Sequence, residues 1–437
     1  MNIGVSWQIA ALVFGSGLIL IMFSGIPVAF AFGLMTLAGS FYIFGSLDSM
    51  SFLVHSAVSS VQNINLTAIP FFVLMGTIFV RSGLSTFVLD RVGIILAGIH
   101  GSGAYATVFG GVILGALMGA SIASTTVLAT VMLAELRKRN YSKPLSIGCI
   151  IGAGTLSILI PPSMPAVLVG SLAGISIPDL LIAGIGPAIV LTVLLIIFIY
   201  IRVTFFEQHI VEHTSTEVTG HDRVRAALYL TPLLLPVISV TGAVYFGVAT
   251  ATEASALGVV STLIIAYAYS RFGWRQFQSM IMDATIFSAM IFFIVMSSKA
   301  YGQIFAILGI SQGFVDILAT YNSSPIIGIL VFLALVTLMG CFMDAVSVIF
   351  ISIPLYLGAI TALNLDPIWF GTMFIMVVGT GAITPPFGLN LFAVKSVAPA
   401  EFSMLDMYKT GIAIALLEFL ALAILLFEPR IVNFFVR

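Results

Sequence analysis

Gly379-Thr380-Gly381-Ala382-Ile383-Thr384-Pro385-Pro386-Phe387-Gly388-Leu389-Asn390 decides how this chain folds. The run lies inside an apolar span, 367–394, yet no helix can pass through it unbroken. Proline removes backbone donors and clashes with the preceding turn, so the Pro-Pro pair frees carbonyls that a helix would otherwise use. The same signature stands earlier: Gly152-Ala153-Gly154-Thr155-Leu156-Ser157 leads to Pro161-Pro162-Ser163 inside the span 144–169. Gly154-Thr155 and Gly379-Thr380 are 225 residues apart, and the proline pairs 224. The chain therefore reads as a duplication.

A second pair of landmarks agrees. The segments 103–135 and 325–360 are each too long for one span, and small or polar residues interrupt both midway. Leu117-Met118-Gly119 opens the first interruption and Leu338-Met339-Gly340 the second, 221 residues later. Each segment is expected to be a re-entrant hairpin, backbone that a bilayer tolerates only where protein or a water-filled cavity surrounds it.

Composition sets the class around these landmarks. Of 437 residues, 60% are hydrophobic and 8% charged, and the mean hydropathy is +1.20. Soluble chains are about 25% charged, so most of this one cannot face water. A net charge of −1 gives no field directed at nucleic acid. Cys149 and Cys341 both fall in apolar segments and read as packing residues, not as a disulfide framework. Full spans are expected at 6–24, 26–45, 67–81, 144–169, 179–201, 226–246, 253–270, 283–298, 367–394 and 410–428. The first run has no Lys or Arg before it, so it is kept as a span that starts outside.

Charge tests that map. With both hairpins re-entrant, 13 of the 16 basic residues fall on the inside, and only Lys299, Arg430 and Arg437 lie outside. The loop after the first hairpin holds four basic residues, Arg137 to Lys143, whereas the matching loop, Gly358 to Pro367, holds none. Equivalent loops thus face opposite sides. The expected fold is all-α and polytopic, with inverted repeats at 1–201 and 226–437 and a solvated cytoplasmic linker at 202–225. That linker carries His209, His213 and His221 among acidic residues, with spacing too irregular for a metal site. Inverted repeats with discontinuous helices are a signature of secondary transporters that bind near the midplane.

Four polar clusters should meet there. They are Gly119 to Thr126, Gly152 to Ser163, Gly340 to Ser347 and Gly379 to Asn390. Freed carbonyls and the hydroxyls of Ser and Thr are oxygen ligands for a hard cation such as Na⁺. Freed N–H groups at half-helix N-termini suit a carboxylate. Close packing of small residues accounts for any one Ser or Thr, but not readily for four clusters paired by a repeat. Asp344 is the sharpest residue, because a carboxylate at the bilayer centre costs roughly 3 kcal/mol on insertion scales. Glu253 begins a span, and Glu418 receives no role. No arginine lies in the clusters, which suggests that another protein shares the recognition of an anion.

These motifs resemble the large membrane subunit of tripartite ATP-independent periplasmic (TRAP) transporters. The resemblance rests on Ala68-Ile69-Pro70-Phe71-Phe72-Val73-Leu74-Met75-Gly76 and on Gly110-Gly111-Val112-Ile113-Leu114-Gly115-Ala116-Leu117-Met118-Gly119. It continues through Leu159-Ile160-Pro161-Pro162-Ser163, Thr252-Glu253-Ala254-Ser255-Ala256-Leu257-Gly258 and Gly381 to Asn390, in order along nearly the whole chain. It implies Na⁺-driven uptake of an organic acid, such as a C4-dicarboxylate or a sialic acid, across the bacterial inner membrane, with no catalysis. It also implies a periplasmic substrate-binding protein and a small four-helix membrane subunit, here expected as a separate polypeptide. An elevator motion would slide 103–169 and 325–394 against a scaffold. Carried onto this sequence, the Na⁺ sites are Ser121, Ser124, Thr125, Gly154, Thr155, Asp344, Ser347, Gly379, Thr380 and Thr384. The substrate would meet Thr126, Pro161, Pro162, Ser163, Pro385, Pro386 and Asn390. Two rivals remain: a stand-alone Na⁺/carboxylate symporter of the same superfamily, and an ion channel, which re-entrant segments also build. An intramembrane enzyme would need paired carboxylates, a Ser-His set or a metal cluster.

Overall fold

The computed structural model describes residues 6–45, 50–207, 210, 218–320 and 325–436. Every regular element among them is helical. The first half runs α1 (Trp7–Phe23), α2 (Val28–Phe44), α3 (Met50–Val61), α4 (Ala68–Arg81), α5 (Leu84–Leu96), α6 (Ser102–Met118), α7 (Ser121–Lys138), α8 (Lys143–Leu156), α9 (Met164–Ala173), α10 (Ile177–Ala183) and α11 (Ile185–Phe205). The second runs α12 (Gly220–Leu230), α13 (Leu235–Tyr245), α14 (Ala251–Ser270), α15 (Trp274–Ile307), α16 (Ile310–Thr320), α17 (Pro325–Gly340), α18 (Ala345–Leu363), α19 (Pro367–Gly381), α20 (Leu389–Val397), α21 (Met404–Phe427) and α22 (Arg430–Asn433).

Among the described residues, seven helical segments are long and apolar enough to cross a bilayer. Six answer to expected full spans, and the seventh is α18. The expected spans 6–24 and 26–45 are helices of 17 residues each, at the short end of what a bilayer needs. The spans 144–169 and 367–394 are each two shorter helices, α8 with α9 and α19 with α20. Where 283–298 was expected, α15 runs for 34 residues, because no proline interrupts it between Gly273 and the positive-φ Gly309. The sequence reading gave no place to α3, α5 or α16, which are 11 to 13 residues long.

Local chemistry sets the breaks. α6 stops at Gly119, whose φ of +59° suits glycine, and Ala120 is extended before α7 begins. Ser142, Ser163, Asp344 and Asp366 accept N–H bonds at the starts of α8, α9, α18 and α19. Glu253 completes a capping box with Thr250 at the start of α14. The Pro161-Pro162 and Pro385-Pro386 peptides are both cis.

The 202–225 segment differs from a wholly solvated linker. Glu207 is buried, accepts from Ser142 N at 3.0 Å, and bonds the Ser142 hydroxyl. Residues 208–209 and 211–217, including His209 and His213, lie outside the described residues. Nearby, Arg137 donates to Glu401 at 2.8 and 3.3 Å and holds that carboxyl below its usual range. Lys143 bonds the Glu401 carbonyl and pairs with Asp406 at 3.4 Å. These contacts join the end of α7 and the start of α8 to the start of α21.

Glycines let helices cross closely. A Cβ on Gly381 would stand 2.6 Å from Gly340 Cα and 2.9 Å from the Thr337 carbonyl, and one on Gly115 would stand 2.8 Å from Ser157 Cα. These obstacles are largely backbone. Gly381→Ala and Gly115→Ala should therefore each cost about 1–3 kcal/mol, read as earlier thermal unfolding in detergent. Gly242→Ala, which meets nothing within 4 Å, should leave unfolding unchanged or slightly later.

Candidate functional site

The two hairpins, α6–α7 and α17–α18, interlock with the two broken helices. α7 lies against α8 and α20, and α18 lies against α9 and α19. Each hairpin tip is bonded to the break of its own half: Met164 N donates to the Gly119 carbonyl at 3.4 Å, and Gly388 N to the Cys341 carbonyl at 3.1 Å. A side-chain bond also joins the first hairpin tip to the second break. The Asn390 amide donates to the Ser121 hydroxyl at 2.6 Å, with both residues buried.

A cavity of about 420 Å³ lies where these parts meet. Ala120 to Ala123 line it from the first tip and Asp344 to Val346 from the second. Ile158, Met164 and Pro165 come from the first break, and Val378, Gly379 and Ala382 from the second. Pro27 to Ala29, with Phe287, Met290, Ile291 and Ile294 of α15, close it. A neighbouring cavity of about 370 Å³ shares Ala120, Ala123, Met164 and Phe287 and reaches Arg81, which pairs with Asp283 at 2.5 Å. No side chain caps the N-terminus of α7. Its first N–H groups therefore give the main cavity a positive end.

The expected residues divide among several places. Ser121, Asp344 and Gly379 line the main cavity. Ser124 and Thr125 are 0% exposed, and their hydroxyls find no partner. Thr125 presses on Gly154, where a Cβ would stand 1.9 Å from its Oγ1. Thr126 lines the neighbouring cavity and donates to the Ile122 carbonyl at 2.7 Å. Ser163 caps α9 and bonds the Ile158 carbonyl, while Pro161 and Pro162 are buried beside it. Pro162 O lies 2.9 Å from where a Gly119 Cβ would be. Asp344 accepts from Val346 N and Ser347 N at 3.0 and 3.3 Å and from the Ser347 hydroxyl at 2.5 Å. Its oxygens thus neutralise the start of α18. Thr384 donates to the Thr380 carbonyl at 2.7 Å and, with Pro385, lines a separate apolar cavity of about 630 Å³. Pro386 is exposed.

The sequence reading missed three contributors. Apolar residues of α15 carry no signal that separates a cavity wall from lipid contact. Arg81 was counted only as an inside charge. Glu418 is an acid in the middle of a span, a signal that was available. It is 1% exposed, and its Oε1 is 2.5 Å from Thr155 Oγ1. Among the described residues, no three His, Cys, Asp or Glu side chains are grouped to hold a metal ion. The oxygen donors here are hydroxyls, carbonyls and the Asp344 carboxylate.

Residues 16–431 match the family described as "Tripartite ATP-independent periplasmic transporter, DctM component". The chain belongs to that family. It is thus the permease component of a TRAP-type secondary transporter, a multi-pass protein of the bacterial inner membrane. It is 27% identical over 417 residues to the ectoine TRAP transporter large permease protein TeaC of Halomonas elongata, covering 94% of this chain and 95% of that one. It is 28% identical over 433 residues to the C4-dicarboxylate TRAP transporter large permease protein DctM of Vibrio cholerae, covering 93% of both. It is also 26% identical over 409 residues to the 2,3-diketo-L-gulonate TRAP transporter large permease protein YiaN of Escherichia coli, covering 93% and 94%. Among solved structures, the YdaH transporter of Alcanivorax borkumensis superposes with a TM-score of 0.57 at 15% identity over 87% of this chain and 88% of that one. MtrF of Neisseria gonorrhoeae gives 0.56 at 11%, over 89% and 85%. Those two likenesses concern the fold.

The Asn390–Ser121 bond joins the halves of this permease directly. Asn390→Ala and Ser121→Ala should each destabilise the protein, and the double variant should fall short of their sum by about 1 kcal/mol. A thermal double-mutant cycle on the purified protein measures this. Additive effects would remove the bond from the account.

Proposed function

We propose that this permease couples Na⁺ entry to uptake of an organic acid, a C4-dicarboxylate, a sialic acid or a similar carboxylate. A periplasmic binding protein delivers the substrate, and a small four-helix membrane subunit accompanies the large one. The observation that carries the reading is the single cavity lined by both hairpin tips and both breaks. Its uncapped α7 N-terminus fits a carboxylate, and its apolar α15 wall fits a carbon skeleton. The three relatives above bear the names of three different substrates, so family membership leaves the choice of acid open.

Na⁺ fits the first half on one structural ground. The Ser124 and Thr125 hydroxyls are fully buried without partners, and Thr125 lies against Gly154. Buried polar atoms normally have partners, and a cation held by these hydroxyls and nearby carbonyls would satisfy them. Ser121 and Thr155 flank that position. In the second half, Gly379, Thr380 and Thr384 would offer backbone and hydroxyl oxygens, with Ser347 and Asp344 at the start of α18. Bound Na⁺ would supply positive charge next to the anion and link its binding to the ion gradient. The hairpins and broken helices would move as one body, by an elevator motion against a scaffold.

Reconstitution into proteoliposomes with candidate binding protein and small subunit tests the whole reading. Radiolabelled carboxylate should accumulate only with an inward Na⁺ gradient and all three proteins. The paired Ser124→Ala and Thr125→Val variant should lose more than about 90% of uptake, since each lost ligand weakens the ion. Asp344→Ala should also abolish uptake. Uptake by this chain alone would favour the stand-alone symporter, and uptake indifferent to Na⁺ would end the coupling proposal.

A further inference from the structure

Glu418 bonds one of the two Gly-Thr turns on which the duplication was first read. It lies in α21, which packs on both α8 and α19. Its Oε1 is 2.5 Å from Thr155 Oγ1 at the last turn of α8. Thr380, the counterpart 225 residues later, stands at the last turn of α19, the other helix on which α21 packs. The one Thr155 hydroxyl proton is shared between that carboxyl and the Gly152 carbonyl, 2.9 Å away, and Thr380 donates to the Met376 carbonyl at 3.1 Å. One side chain thus bonds the last turn of α8 from a helix that also packs on α19. Its second oxygen, Oε2, is buried and takes no hydrogen bond of ordinary geometry.

Ion pairing does not explain Glu418. α19 has no charged residue. Lys143 of α8 pairs with Asp406 and Arg202 of α11 with Glu207. Lys395 of α20 donates to the Phe402 carbonyl, and Arg430 of α22 pairs with Glu428. What remains on the carboxyl is the Thr155 hydroxyl. A buried acid at mid-span is costly to keep, and among the described residues its hydrogen-bond partner, Thr155, stands beside the helix end whose carbonyls the first break releases.

We propose that Glu418 is a positioning residue that fixes the α8 and α19 Gly-Thr turns relative to each other, and so orients the oxygens that would hold Na⁺. This rests on the Na⁺ reading above. Glu418 does not itself touch the ion. It sets the turns that do, as outer-shell partners set metal ligands elsewhere.

The test is Na⁺-dependent thermal stabilisation of the purified full chain without substrate, with K⁺ replacing Na⁺ at constant ionic strength. Glu418→Met keeps the length of the side chain without its hydrogen bonds and fills the site with apolar atoms, a replacement that buried polar groups often tolerate. It should raise the Na⁺ concentration for half-stabilisation by about ten- to a hundred-fold, while its unfolding temperature without Na⁺ stays near wild type. Glu418→Gln, which keeps the shape and one acceptor oxygen, should restore the wild-type midpoint to within about threefold. Thr155→Val added to Glu418→Met should shift the midpoint little further than Glu418→Met alone. An unchanged midpoint in Glu418→Met overturns the proposal, as does a Gln variant no better than Met or one that fails to fold. A Met variant that fails to fold while Gln behaves as wild type assigns Glu418 to stability alone and overturns it too. A wild type that Na⁺ does not stabilise overturns the Na⁺ reading itself, and with it this proposal; a wild type that responds beside variants that do not change removes only the proposal.

Discussion

Backbone polar groups inside a bilayer have no water to turn to, and this one constraint organises the molecule. A helix broken at mid-membrane exposes carbonyls and N–H groups that must find partners in protein or in a ligand. Here the breaks after α8 and α19 find them at the hairpin tips. Met164 N reaches the Gly119 carbonyl, and Gly388 N reaches the Cys341 carbonyl. The hairpins can end in mid-membrane for the same reason, since each tip is closed off by a break. Neither motif is tolerable alone, so the two occur together and occur twice.

Binding capacity follows from what that mutual satisfaction leaves over. The α7 N-terminus has no side-chain cap, and the Ser124 and Thr125 hydroxyls are buried without partners. The α7 N-terminus opens on the cavity where the two halves meet, and the two hydroxyls lie one turn further along the same helix. Several other polar groups nearby already hold protein partners. Asp344 is spent on the first N–H groups of α18, and Ser163 on those of α9.

Much of this was legible in the amino acids because breaks have strong local signals. Gly-Thr followed by Pro-Pro, and Leu-Met-Gly before a polar tip, locate all four interruptions within a few residues of where α6, α8, α17 and α19 stop. What sequence could not supply was partnership. Asp344 in an apolar segment reads as an ion ligand, and nothing in the sequence shows that it also accepts from the N–H groups of Val346 and Ser347. Pro386 shares a motif with Asn390, yet one is exposed and the other buried. The α15 wall was invisible because Met290, Ile291 and Ile294 would look the same facing lipid. Glu418 was a different failure, since an acid at mid-span is a signal in its own right, and only its distance in sequence from Thr155 hid the bond between them.

The central claim is that a helix break with orphaned hydroxyls makes a cation site. A high-resolution experimental structure of the purified permease, determined once in Na⁺ and once in K⁺, tests it most directly. The account predicts density bounded by the Ser124 and Thr125 hydroxyls and the Gly154 backbone in Na⁺, weakened or lost in K⁺. The same two hydroxyls paired with protein groups in both conditions, with no density between them, would contradict it.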